Sequence, residues 1–245
     1  MGFNIVLTGM VLSAIPVGEY DKRITILTRE RGRITAFAKG ARRSTNQLLA
    51  AANPFALGEF EVYQGKSTYT LVKAEISHYF RELAEDYDMV CFGYYFLEMA
   101  DDLAQENADE TERLQLLYQT LRALESKKIP FALIRGIYEL KTLAIQGEYP
   151  NVFSCMKCGT GEHLDFFSMR LRGCLCPKCQ AKEGGTPVNG STLYAMQYVI
   201  SSPIGKLYTF LLTPPVQEEF LQLMKNYRTH YMDHRYKSEE FLPQV

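Results

Sequence analysis

Two spacings of apolar residues divide the chain. Over the first eighty positions or so, apolar and polar residues alternate, as in strands with one buried face. The alternation predicts strands over 3–14, 22–28, 33–39, 55–63 and 69–76, with Arg31-Gly32 and Gln64-Gly65 as turn signals. Five short strands suit a small closed or sandwich-like β domain. An OB-fold has that strand count, but the count alone does not separate it from an SH3-like barrel.

After Arg81 the spacing becomes helical. Met89, Phe92, Phe96, Met99 and Leu103 form one stripe, and Leu114, Leu117, Tyr118, Leu121 and Leu124 form another. A third helix is predicted from about Pro130, with Leu133, Ile137, Leu140 and Ala144 on its apolar face and Gly147 and Pro150 as stops. Such stripes are core faces before they are ligand sites. Helices resume at about 191–201, capped by Asn189 or Ser191, and again from Thr213-Pro214. Residues 151–187 break this pattern. The expected fold class is α+β: an OB-like barrel over 1–80, then a helical domain over 81–245 with an inserted module at 151–187.

That module holds five of the six cysteines. Cys155 and Cys158 make one CxxC pair, Cys176 and Cys179 a second, with seventeen residues between Cys158 and Cys176. This is four-cysteine zinc spacing, because two thiolates on one short turn reach the same ion and the second pair completes a tetrahedron. Thiolates favour zinc over magnesium or calcium, and an iron–sulfur cluster is the weaker rival. Four protein ligands leave no open position, so a single structural zinc is expected. Cys174 is read as a bystander, although it is a conceivable substitute for Cys176. Cys91 sits in an apolar stripe and is read as a small buried hydrophobe.

Composition is ordinary for a globular chain: 47% apolar, 22% charged, net charge −1. The N-terminus shows no secretory pattern and no stretch is long enough to span a bilayer, so a cytoplasmic location is expected. The distribution of charge is more telling than its sum. Residues 21–43 carry eight cations and two anions. In 33–39, alternation puts Ile34, Ala36 and Ala38 on one face and Arg33, Thr35, Phe37 and Lys39 on the other. Cations flanking a ring suit single-stranded nucleic acid, the cations meeting phosphates and the ring a base. Arg42 and Arg43 continue the charge into a loop, and Arg23 extends it from the neighbouring strand. The plain alternative is a solvated strand face with an incidental phenylalanine.

Other signals fail. Gly65-Lys66-Ser67 resembles the end of a phosphate loop, but Phe60 stands where that motif needs glycine and a strand follows it. Gly159-Thr160-Gly161 lacks a third glycine. No histidine pairs with a nucleophile, and Asp101-Asp102 reads as the end of a solvated helix face. No enzymatic activity is expected. An RNA-binding or translation-related protein is the main alternative, since barrels and zinc modules serve there too. A magnesium-dependent nuclease is a distant third.

Several segments, in order, resemble the RecO family of bacterial recombination mediators. They are EYDKRITILT at 19–28 followed by Gly32, AKGARR at 38–43, YELKTLAIQGEYP at 138–150, the CxxC pairs, and Tyr236-Lys237-Ser238 with Phe241-Leu242. Arg172-Gly173 stands where the family often has Gly-Gly. The resemblance implies an OB-fold, a helical domain with a zinc module, and binding to single- and double-stranded DNA. It also implies strand annealing, help in loading RecA, and partnership with RecR and with the C-terminal tail of single-strand-binding protein. Lys39, Arg42 and Arg43 match the family's basic loop. Arg23, Arg33 and Phe37 rest on the strand reading. Arg135, Tyr138 and Lys141 are candidates for the tail pocket.

Overall fold

The computed structural model describes residues 2–66, 68–232 and 234–243. Strands β1 (Phe3–Val17), β2 (Asp21–Thr28), β3 (Gly32–Ala38), β4 (Leu57–Gln64) and β5 (Tyr69–His78) close a barrel in the order β1-β2-β3-β5-β4. β1 is long enough to serve two neighbours: Phe3–Met10 pairs with β4 and Gly9–Val17 with β2. The barrel is completed by a short parallel contact, Ala36 opposite Tyr69 and Phe37 opposite Thr70. A short helix, α1 (Leu48–Ala51), lies between β3 and β4. This is OB-fold topology, and it resolves the choice of barrel that strand number left open.

The alternation seen in the sequence maps onto the barrel. Ile34, Ala36 and Ala38 are buried with Leu7, Val11, Ile24, Ile26, Phe60, Val62 and Leu71. Each fully buried large aliphatic contributes about 1.5–3 kcal/mol. On the other face of β3, Thr35 is exposed while Arg33 and Phe37 are half-buried. The β4–β5 connection is a turn closed by Gly65 N–H on the Thr68 carbonyl, 2.9 Å. Ser67, part of the rejected phosphate-loop signal, lies outside the described residues.

The chain forms two compact units, residues 1–125 with 236–244, and residues 126–235. The first adds α2 (Tyr87–Leu103) and α3 (Thr111–Ser126) to the barrel. Asp86 caps α2, accepting from Asp88 N–H at 3.0 Å and Met89 N–H at 3.2 Å. This satisfies donors that a helix start leaves without partners. The Tyr-Lys-Ser tail motif returns onto α2. Tyr236 is fully buried, meets the Tyr95 ring edge-on at 5.7 Å and donates to Asp102 at 3.2 Å. Glu98 accepts the backbone N–H groups of Lys237 and Ser238 at 3.0 and 2.8 Å. Asp102 therefore anchors the tail, and Asp101 pairs with Arg33; neither merely ends a solvated face.

The second unit holds α4 (Phe131–Gln146), β6 (Phe166–Ser168), β7 (Gly173–Leu175), α5 (Pro177–Glu183), β8 (Thr186–Pro187), α6 (Gly190–Ser201) and α7 (Pro214–Tyr231). Gly147, at φ 77°, ends α4 in the left-handed conformation expected of a C-cap glycine. Asn189 caps α6 through Ser191 N–H at 2.8 Å. Residues 151–187 contain a small sheet, β7-β6-β8, and the seven-residue α5. Both are too short to show a periodic stripe, so the sequence presents them only as a break. No helix among the described residues is long and apolar enough to cross a membrane.

Candidate nucleic-acid interface and metal centre

The basic loop after β3 is tied to the β1–β2 turn. Arg42 N–H donates to Tyr20 O at 2.9 Å, and its guanidinium donates to Gly18 O at 3.2 Å and Glu19 O at 3.0 Å. Asp21 accepts the Gly40 N–H at 2.7 Å. Arg43 lies over the Tyr20 ring, its guanidinium carbon 4.4 Å from the centroid. Between turn and loop is an open depression of about 580 Å³, lined among others by Tyr20, Asp21, Lys39, Arg43 and Asn46. Lys39 and Arg43 are exposed on its rim, and Arg42 is exposed in the same loop. Arg23 is exposed on β2, directly opposite Phe37 on β3. Sequence reasoning thus placed Arg23, Phe37, Lys39, Arg42 and Arg43 on neighbouring elements.

Tyr20 was not among them. Its ring is 40% exposed, and its hydroxyl hydrogen-bonds Glu19, which raises its pKa above the ordinary tyrosine value. A tyrosine in a turn has no period to mark it; the only signal was its position beside the acidic pair Glu19 and Asp21.

Arg33 carries ion pairs of its own. Its guanidinium reaches Asp101 at 3.2 Å and Glu106 at 3.4 Å, with a further bond to Asp101 O at 3.4 Å. The arginine thus joins β3 to the last turn of α2 and to the connection before α3, with its side chain 38% exposed. The tail-pocket candidates are likewise engaged internally. Tyr138 is fully buried. Lys141 donates to Ile200 O at 2.9 Å and Ser202 O at 2.8 Å, fixing α4 to the end of α6. Arg135 pairs at 2.8 Å with Glu139, which also lies 3.5 Å from Arg228. A sequence gives a side chain's type but not the partner that folding brings to it.

The thiols of Cys155, Cys158, Cys176 and Cys179 lie within 4.8 Å of one another. Cys158 and Cys176 sulfurs are 3.7 Å apart. A tetrahedral zinc with Zn–S near 2.3 Å sets its sulfurs about 3.8 Å apart, so the donor set fits such an ion. The local backbone explains the geometry. Gly159, at φ 76°, lets its N–H return to Cys155 O at 2.9 Å, closing the first knuckle. Cys176 precedes α5 and Pro177 opens it, so Cys179 N–H turns back to Cys176 O at 3.1 Å. Burial works against ionisation of Cys155, but the N–H groups of Cys158, Cys176 and Lys157 outweigh it and bring the thiol down to about 6.

Cys174 is outside this group. It is fully buried on β7, and burial, with Cys155 nearby, pushes its thiol up to about 12. Next to it, Arg172 takes a positive φ of 56°. That conformation suits glycine, which accounts physically for the Gly-Gly alternative at this turn. Arg172 pairs with Glu148 at 3.2 Å and lies 4.0 Å over the Tyr231 ring, contacts that glycine would lack.

A second cluster joins His78, Glu82 and Glu125 within 4.8 Å. Glu125 meets His78 at 3.4 Å and Arg122 at 3.0 Å. Burial, then its hydrogen bond with Glu82, raises the Glu125 pKa. Glu82 is lowered by its own N–H and by the same hydrogen bond, as when one proton is shared by two carboxyls.

Comparison with known proteins places these features in one family. Residues 1–80 match the family model for the N-terminal part of recombination protein O, and residues 84–240 match the C-terminal one. The chain is 30% identical to DNA repair protein RecO of Bacillus pumilus over 97% of its own length and 93% of that protein's. It is 30% identical to the protein of the same name from Symbiobacterium thermophilum over 96% and 94%. The Acetivibrio thermocellus protein of that name is 28% identical over 96% and 94%. With both halves of the family matched in order, and the OB barrel, helical part and four-cysteine group all in place, the chain belongs to the RecO family and has a role in DNA repair.

Proposed function

We propose that the protein is a nonenzymatic recombination mediator that binds single- and double-stranded DNA through its OB barrel. In this reading it anneals strands and helps RecA load onto DNA coated by single-strand-binding protein, with RecR as a partner, in the cytoplasm at the nucleoid. The observation that carries it is the laced pair of loops that presents Lys39 and Arg43 at one depression, with Arg42 exposed in the same loop and Arg23 and Phe37 on the adjoining strands. Cations there meet phosphates, and the half-buried Phe37 ring meets a base. The four-cysteine group holds one zinc ion that fixes the 151–187 segment. The tail of single-strand-binding protein enters on the family's pattern alone, since Arg135, Tyr138 and Lys141 are engaged within their own unit.

The test is Lys39→Ala/Arg42→Ala/Arg43→Ala in the full chain, measured by DNA affinity across a salt series. Loss of up to three phosphate contacts should reduce the slope of log affinity against log salt by about 2–3, alike for unrelated sequences. Because Arg42 also braces the turn, Arg23→Ala/Lys39→Ala serves as a control and should lower the slope by about 1–2. Unchanged slopes in both variants would defeat the assignment. A large preference for RNA over DNA of the same sequence would favour the RNA-binding alternative.

A further inference from the structure

We propose that Tyr20 is a stacking platform for one unpaired nucleobase, and that Arg43 holds the place of that base until DNA arrives. The inference rests on the DNA-binding reading above and adds a subsite to it. Three observations support it. The Tyr20 ring is 40% exposed at the rim of the depression, where a flat ligand can reach it. Arg43 already lies over it at 4.4 Å, so the ring accepts a planar π partner in this conformation. The turn bearing Tyr20 is held by Arg42, which bonds the Gly18, Glu19 and Tyr20 carbonyls, so the platform is fixed before any ligand binds.

Binding then exchanges one planar partner for another. A base takes the Tyr20 face and the Arg43 guanidinium swings to an adjacent phosphate. The ring keeps a π contact, and the cation moves to a stronger anionic partner. Asp21 keeps its charge but is turned to the Gly40 N–H at 2.7 Å, and Lys39 and Arg43 on the same rim offset it. Bases in a duplex are already stacked and paired, so only a single strand or an unpaired position offers one. The device gives the barrel a preference between two DNA forms that its lysines and arginines alone do not.

The test compares an oligothymidylate with a duplex of equal phosphate number, using the full chain. Tyr20→Leu should weaken single-strand binding by about 5- to 150-fold, the range for losing one stacked base, and leave duplex binding within about twofold. Tyr20→Phe should restore the single-strand affinity. An abasic strand of the same length should bind the unmodified protein at least as weakly as oligothymidylate binds Tyr20→Leu, a readout that does not depend on the variant's folding. Equal losses on both DNA forms, or an abasic strand that binds as tightly as oligothymidylate, would overturn the subsite. If Tyr20→Leu changes nothing while the triple basic variant still loses its salt slope, the subsite fails and the DNA-binding reading survives. If the basic variants also keep their slope, both fail.

Discussion

Cys176 and Cys174 are two positions apart and have different surroundings. Cys176 immediately precedes α5, its sulfur 3.7 Å from that of Cys158, whereas Cys174 lies buried on β7 outside the group. Cys176→Ser should therefore lose most of the bound metal, read as zinc per chain by elemental analysis. Cys174→Ser should retain about one ion per chain, since it removes no ligand. Retention in Cys176→Ser together with loss in Cys174→Ser would reassign the fourth ligand. This distinction was legible in the sequence because CxxC spacing is a local constraint on two sulfurs. The fates of Arg33, Tyr138 and Lys141 were not. Arg33 meets Asp101 and Glu106 some seventy positions away, and Lys141 meets carbonyls at 200 and 202. Nothing local in the chain marks partners at that range.

Among the elements, the barrel strands were the most legible. One face of each is buried, so composition must alternate with the pleat, and the predicted spans fall within a few residues of β1 to β5. The helices of the second unit were legible by their stripes and ends, Gly147 at a stop and Pro214 at a start. The sheet β7-β6-β8 and α5 were not, since two- and three-residue strands hold no period. Gly32 shows how one element end can be fixed by another. It read as a turn glycine, and its φ of 62° agrees. The same residue also lies against the chain before α3: a Cβ there would sit 1.9 Å from the Gln105 carbonyl oxygen. Around it, Arg33 N–H bonds Gln105 O at 3.0 Å and Asn107 N–H bonds Arg31 O at 2.9 Å. Gly32→Ala thus combines an unfavourable backbone conformation with a backbone clash. It should destabilise the protein by about 2–4 kcal/mol, measured by denaturant unfolding. A change under about 0.5 kcal/mol would mean that this contact yields without cost.

At the scale of the whole molecule, each of the two compact units has its own core. The first is built on the barrel, with Ile24, Ile26, Phe60 and Val62, and on α2 and α3. The second is built on α4, α6 and α7, where Leu133, Ile137, Phe220 and Met224 are buried and Gly136 lets Phe220 come close. The four cysteines belong to neither of those cores. They sit in a segment whose buried apolar residues are few, chiefly Val152, Leu164, Phe167 and Leu175. Structural zinc is worth about 10–16 kcal/mol in isolated finger peptides, more than so few side chains supply. Chelation should therefore open residues 151–187 to protease, with cuts mapped by mass spectrometry inside that span. The helices on either side should keep most of their circular dichroism, because their packing does not pass through the metal. DNA affinity should fall by less than about threefold, since phosphate contacts dominate binding and the proposed ones lie on the barrel. A collapse of DNA affinity on chelation, with the barrel still folded, would move part of the DNA site to the metal segment, where Lys157 and Lys178 flank the thiols. Metal-free protein that resists protease as well as the holoprotein would show that the segment stands on its own packing.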